Sequence, residues 1–230
     1  MTRSRKVGVE DVILMRLPAD RFHNHIPPHY FPPEDKRDRY QVALVIQSCK
    51  LNSFDNHEAG YSDEFHFWLR TASTESVESE NEKILILPSQ HWLSLASGSA
   101  NSMARSYLQS FGFRPSILEK VELQTNGGAL IFQNCGRIDW TISGRGRRFK
   151  QVGVEHVLNV ETDRPDTAGH RIEASISDPV MDQPGRVYIQ TDACEPYLHR
   201  GECFAAVVHR MSGLEANIKW IKKKNMILSH

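Results

Sequence analysis

The stretch that decides the fold is residues 117–143, ILEKVELQTNGGALIFQNCGRIDWTIS. Three runs of strand-forming residues, Ile117 to Thr125, Ala129 to Asn134 and Arg137 to Ser143, are separated by Asn126-Gly127-Gly128 and by Cys135-Gly136. Glycine after Asn or Cys supplies the positive φ of a tight turn, so the three runs predict two successive hairpins. The same texture continues to the C-terminal side. Gln151 to Val160, Arg171 to Ser177, Arg186 to Thr191, Cys203 to Arg210 and Leu214 to Ile221 are further strand candidates with Gly, Pro and Asp between them. Toward the N-terminal side, Tyr40 to Leu51 places Val42, Leu44 and Ile46 at every second position. Tyr61 to Arg70 puts Phe65, Phe67 and Leu69 on one face and Glu64, His66 and Trp68 on the other, as a strand with substantial side chains on both sides must.

One segment reads differently. Trp92, Leu93, Ala96, Ala100, Met103, Ala104, Tyr107, Leu108 and Phe111 recur at helical spacing, with Ser89 as a cap, Gly112 as a stop and Ser97-Gly98-Ser99 as a weak middle. A helix over Trp92 to Phe111 is therefore expected, preceded by a short buried strand at Ile84 to Leu87. The fold class expected is α+β, mainly antiparallel β: a closed or nearly closed β-barrel with one substantial helix, because closure removes exposed strand edges. Residues 1–230 are expected to form a single barrel-like domain, with a Pro- and His-rich wrapping loop at 21–39 and a basic tail at 222–230.

Composition narrows the function. Of 230 residues, 40% are hydrophobic and 24% charged, and Lys plus Arg equals Asp plus Glu at 28 each. Such a chain folds around a core and has no global field to gather nucleic acid or an anionic membrane. The expected partner is a small-molecule substrate, with no nucleic acid and no membrane; a homo-oligomer is compatible with this reading. The four cysteines form no Cys-x-x-Cys pair, and Glu10, Asp11 and Arg16 interrupt the apolar run a signal peptide needs. A cytoplasmic location is the expectation. His23, His25 and His29 lie close in sequence, but Pro27-Pro28 separates them, so a solvated loop is favoured over a metal site, and no metal and no cofactor are expected. His91, His156, His199 and His209 stand alone. Gly144-Arg145-Gly146-Arg147-Arg148 reads as a basic turn, and Walker, Rossmann, Gly-x-Ser-x-Gly and His-Glu-x-x-His motifs are absent.

What remains is an ordered constellation: a strand with Tyr61-x-x-Glu64, a short strand, a helix, then Gly112-Phe113 and an apolar strand from Ile117. Over Tyr40 to Ser143 this order resembles the acetoacetate decarboxylase-like superfamily. There an inward strand bears Tyr-x-Glu, and a helix ends in Gly-Arg-Glu-x-x-Gly-Phe-Pro-Lys. Gln109-Ser110-Phe111-Gly112-Phe113 matches the stretch from the family's Glu to its Phe, with Gln109 replacing the Glu and Leu108 the Arg. Arg114 and Pro115 stand where the family has Pro and its Schiff-base Lys. The resemblance thus implies a barrel enclosing a keto-acid site without the defining amine. The nearest lysine, Lys120, lies on the strand face opposite Ile117, Val121 and Leu123.

On that footing the expected function is an enzyme acting on a hydrophobic keto or enol substrate, an isomerase, cyclase or lyase of biosynthetic type working by acid/base catalysis. Glu64 would be the acid or base, and Arg114 or Arg105 would hold a carboxylate or enolate oxygen. Tyr61, His66, Trp68, Tyr107 and Gln109 would bind substrate. Two alternatives stand beside it: a non-catalytic carrier using Tyr61, Trp68, Trp92 and Tyr107 as apolar walls, and a Schiff-base decarboxylase using Lys120.

Overall fold

The computed structural model describes residues 2–26, 38–51, 61–71, 91–110, 113–124, 126–149, 154–162, 169–176 and 180–221. Twelve strands and two short helices follow in order: β1 Thr2–Pro18, α1 Asp20–His23, β2 Arg39–Leu51, β3 Tyr61–Arg70, β4 His91–Ser99, α2 Ser102–Ser110, β5 Pro115–Gln124, β6 Gly127–Phe132, β7 Gly136–Ile142, β8 Arg147–Phe149, β9 Val154–Thr162, β10 Gly169–Ile176, β11 Val180–Thr191 and β12 Cys203–Ile221. They form one sheet, antiparallel except where β4 runs parallel to β5 and to β9.

The sheet forks. Strands β12, β1, β2, β3 and β4 make a continuous wall. On one route β5, β6, β7 and β11 lead from β4 back to β12, closing a nine-stranded mixed barrel; on the other, β9 and β10 join the same two strands. The attachments fall at different heights. On β4, residues 91–94 pair with β9 and 97–99 with β5; on β12, residues 203–210 pair with β11 and 214–221 with β10. The two closures therefore cross the wall on opposite diagonals.

The first face of the wall fills the nine-stranded barrel. Ile13, Leu44, Phe65 and Leu93 pack in one cluster with Leu118, Leu130, Ile138, Val187 and Val208 from the closing strands, and Phe65 meets Phe132 edge to face at 5.2 Å. One end is plugged. Phe22 of α1 stacks on Tyr197 at 5.6 Å, while Arg21 donates to the Tyr197 carbonyl at 3.0 Å and to both Glu202 oxygens at 2.9 and 2.5 Å. A polar tie enters this core: Asp11, fully buried, accepts from Arg210 Nε and Nη2 and from the Trp140 indole, each at 2.8 Å. It links β1, β12 and β7, and holds the Arg210 guanidinium above its ordinary pKa.

Several expectations need correction. The helix expected over Trp92 to Phe111 is instead β4 followed by a nine-residue helix, Ser102–Ser110. Its cap is Asn101, whose Oδ1 accepts from the amides of Met103 and Ala104 at 2.9 and 3.1 Å. The helical spacing misleads because β4 is buried on both faces and carries a bulge at Leu95, between Ser94 and Ala96, which together erase a period of two. Gly98, expected to be a weak point of a helix, lies opposite Phe65, where a Cβ would strike the ring. The N-terminal segment, in which the sequence shows only an interrupted apolar run, is mostly β1, a central strand paired along its length with β2 and β12. Two expected strands, Cys203 to Arg210 and Leu214 to Ile221, are one continuous β12. Within the expected loop 21–39, Asp20–His23 forms a helical turn and Arg39 begins β2; residues 27–37, the strand Ile84 to Leu87, the cap Ser89, Gly112 and the tail 222–230 lie outside the described residues. No helix among the described residues is long and apolar enough to cross a membrane.

Replacing Asp11 by Ala leaves the Arg210 guanidinium and the Trp140 indole without their shared acceptor. Breaking a buried pair costs about 3–5 kcal/mol, and Arg210 keeps some access to water, so a loss near 3 kcal/mol is expected in urea or guanidinium unfolding. A loss under about 1 kcal/mol, the worth of an exposed pair, would contradict this account of the core.

Candidate active site

With the nine-stranded barrel filled and plugged, the second face of the wall is the place for chemistry, and strand register assembles it in rows. Met211, Glu10, Gln47, Glu64 and Ser99 stand side by side across β12, β1, β2, β3 and β4; His209, Val12, Val45, His66 and Ser97 form the next row, and Val207, Leu14, Ala43, Trp68 and Ser94 the third. Alternation puts the three carboxyl, imidazole and indole side chains of β3 on this face while Phe65, Phe67 and Leu69 enter the core behind them. Glu64 is fully buried, and Trp92, Ser97 and Ser99 on β4 are almost equally so.

Glu64 is held tightly in place. Ser62 Oγ donates to its Oε1 at 2.9 Å, and Gln47 Nε2 donates to its Oε2 at 3.1 Å. Ser62 Oγ lies 2.9 Å from Ser99 Oγ, which in turn accepts from the Asn101 amide at 3.1 Å. The carboxylate thus ends a hydrogen-bonded chain that begins at the cap of α2. His66 Nε2 is 3.7 Å from Glu64 Oε2 and 3.4 Å from Gln47 Nε2. Gln47 Nε2 can only donate, so in the neutral tautomer that accepts this bond Nε2 is the acceptor and Nδ1 the N–H donor. That nitrogen has no hydrogen-bond partner, nor do Trp68 Nε1, Trp92 Nε1, Ser97 Oγ and His209 Nδ1.

Glu10, in the same row as Glu64 with Gln47 between them, has its pKa pushed up to about 8, chiefly by burial and secondarily by the neighbouring charge of Asp11. Burial also lowers the pKa of His209, against the pull of Asp182. The face therefore pairs a carboxyl that stays protonated at neutral pH with a second carboxyl held by neutral donors.

Of the residues expected at the site, Glu64, His66 and Trp68 come together. Arg105 does not point at them; its Nη1 donates to the Ser99 and Ala100 carbonyls at 2.8 and 2.9 Å, fastening the end of β4. Arg114 and Gln109 are exposed, and the side chains of Tyr61 and Tyr107 lie outside the described residues. Lys120 is exposed and ion-paired to Glu122 at 2.5 Å, the opposite of the desolvated amine that Schiff-base chemistry requires. His23 and His25 are both exposed, His23 against the Tyr40 hydroxyl at 3.1 Å, and His29 lies outside the described residues. Among the described residues no three His, Cys, Asp or Glu groups are placed to hold a metal. Sequence reasoning missed Glu10, Gln47, Ser62, Ser97 and Ser99. Alternation of Asp11, Ile13, Met15 and Leu17 against Glu10, Val12 and Leu14 is the signal that marks the first of these.

No protein-family model and no curated protein sequence matches the chain. Solved structures do. The enduracididine biosynthesis enzyme MppR, with HEPES buffer bound, superposes with a TM-score of 0.56 at 14% identity, over 96% of this chain and 88% of that one; its complex with pyruvate gives 0.56 at 13%, over 96% and 90%. An acetoacetate decarboxylase-like enzyme from Sphingomonas wittichii RW1 gives 0.57 at 9%, over 97% and 92%. At these identities what is shared is the architecture: the chain has the acetoacetate decarboxylase-like fold.

Proposed function

We propose that the chain is a small-molecule enzyme that moves a proton at the carbon beside a carbonyl, with Glu64 as the base and Glu10 as the acid, on a hydrophobic keto or enol substrate. The observation that carries this is Glu64: a fully buried carboxyl fixed by Ser62 and Gln47, in one row with a second carboxyl whose pKa is pushed to about 8. Glu10, which keeps its proton up to about pH 8, can supply an acid, and Glu64, which accepts hydrogen bonds from Ser62 and Gln47, can supply a base. The base takes the proton and the oxygen carries the resulting enolate charge; a proton returned from the acid to the far carbon of a conjugated system completes an isomerisation, whereas expulsion of a β-leaving group that takes up that proton completes an elimination, and attack of the enolate carbon on a second carbonyl whose oxygen takes up the proton completes a cyclisation. MppR, solved with pyruvate and with a condensation product of pyruvate and imidazole 4-carboxaldehyde, supports a keto compound as the substrate class. A carrier would need only apolar walls, and it leaves the row of carboxyls without a purpose.

In deuterium oxide, a panel of hydrophobic 2- and 3-keto acids should include at least one that exchanges its α-protons faster than in buffer, read by NMR. Glu64→Gln should slow that exchange about 10²- to 10⁴-fold, the range of a general acid or base, while the same compound still binds; an unchanged rate would favour the carrier. Lys120→Met should leave the rate alone, and borohydride should trap no adduct at Lys120, whereas a trapped adduct there would restore the Schiff-base reading.

A further expected outcome concerns pH. Between its ordinary pKa of 4.5 and about 8, Glu10 keeps its proton in the folded chain and loses it in the unfolded one. Stability from this group is therefore fully present below pH 4.5 and declines as pH rises, by about 1.4 kcal/mol per pH unit, levelling above 8. Thermal melts of the parent and Glu10→Gln should accordingly diverge from about pH 5 to about 8 in favour of the variant; parallel curves would mean that Glu10 ionises in the fold as it does in water.

A further inference from the structure

Among the described residues, four of the five unpartnered buried side-chain polar atoms lie on two adjacent strands and one face: His66 Nδ1, Trp68 Nε1, Trp92 Nε1 and Ser97 Oγ, in residues 6, 3, 0 and 1% exposed. A buried polar group left without a partner is costly, and a structure keeps a cluster of them when something absent completes it. The other face of the same wall shows the contrast, since the indole of Trp140 is satisfied there by Asp11. All four groups can donate, and the two indoles can do nothing else. What completes them is an acceptor.

The acceptor's character follows from its surroundings. The three rows that contain Glu64, His66 and Trp68 hold no lysine or arginine; in the next row Arg70 stands opposite Trp92, with its Nη1 donating to Gln41 Oε1 at 3.0 Å. The four unpartnered donors are themselves uncharged groups, which suit a carbonyl that becomes an enolate better than a phosphate. The donors are also mounted on rings that follow one another. His66 lies 5.6 Å from Trp68 at 35°, and Trp68 lies 6.3 Å from Trp92 at 48°, which offers successive π faces to a flat group. We propose that His66, Trp68, Trp92 and Ser97 form a shelf of neutral donors holding the carbonyl oxygen of a substrate whose aryl or other planar conjugated group lies along their rings. The proposal rests on the reading of Glu64 as base only for which carbon lies beside the carboxylate; oxygen binding does not require turnover.

Phenylpyruvate is the probe, with 3-phenylpropionate, which lacks the keto oxygen, as its control. In ¹⁵N-labelled full-length protein, the indole signals assigned through Trp68→Phe and Trp92→Phe should move downfield on adding phenylpyruvate, while that of Trp140, already bonded to Asp11, stays. Trp68→Phe, Trp92→Phe and Ser97→Ala should each weaken phenylpyruvate binding about 2- to 12-fold, the worth of one neutral hydrogen bond, and leave 3-phenylpropionate nearly unchanged. Equal losses for both compounds, unmoved indole signals, or no binding of phenylpyruvate at millimolar concentration would overturn the shelf. Glu64→Gln keeps the two failures apart: if it binds phenylpyruvate with donor dependence while the parent exchanges no α-proton, the shelf stands and the proton-transfer reading falls. If binding is independent of the donors while exchange depends on Glu64, the shelf falls and the proton-transfer reading stands.

Discussion

The structure depends on one constraint: the wall β12–β1–β2–β3–β4 is shared by two closures, so its central strands are covered on both faces. A strand in an ordinary antiparallel barrel turns one face to water and reads as apolar and polar in alternation. Here both alternations are interior, and the two interiors differ in kind. One is packed with Ile13, Leu44, Phe65 and their partners; the other is lined by Glu10, Gln47, Glu64 and His66. Burial of that second set is costly unless each group finds a partner; Glu64 finds Gln47 on the neighbouring strand and Ser62 on its own, while His66 Nδ1 finds none. Register is therefore more than a folding detail. A slip of one residue on β3 would send Glu64 into the phenylalanine core and Phe65 onto the polar row.

The same constraint explains what can be read from residues alone. β3 is legible, with the right ends and the right assignment of faces, because its two faces are chemically distinct. The hairpins β5–β6–β7 are legible because their turns demand glycine: Gly136 has φ of 95°, and a Cβ there would strike the Gln190 carbonyl. β4 is illegible for the opposite reason. Trp92 and Leu93 are both buried, on opposite faces, and the bulge then shifts the alternation, so the apolar positions fall by chance at helical spacing. β1 hides its role in a different way, since Glu10 and Asp11 look like interruptions of an apolar run until the sheet gives each its own interior.

The candidate site is legible to the same partial degree. Glu64, His66 and Trp68 share a strand, and one strand's alternation is enough to group them. Ser62, two residues from Glu64 on the same strand, shares that alternation, whereas Gln47 and Ser99 join the row from positions 17 and 35 residues away, brought there by pairing between strands, which no local pattern encodes. The arginines mislead for a related reason. Helical spacing puts Arg105 on the face of a long helix, and once that helix shortens to Ser102–Ser110 its guanidinium belongs to the Ser99 and Ala100 carbonyls, where it steadies the strand end that bears Ser99. It acts on the row through position alone.

Glu10 and Asp11 show how far the two interiors govern chemistry. They are neighbours on one strand and differ by one methylene, yet alternation sends them to opposite sides of the wall. Asp11 enters the apolar core and meets a guanidinium and an indole, and its work there is to tie β1, β12 and β7 together. Glu10 enters the polar side, where Gln47 and Met211 are its neighbours in register and Asp11 itself adds to the cost of ionising it. One carboxyl becomes a structural tie and the other a stored proton. The side of the wall decides the difference, and on the polar side burial keeps Glu10 protonated in the row of Glu64, with Gln47 between them.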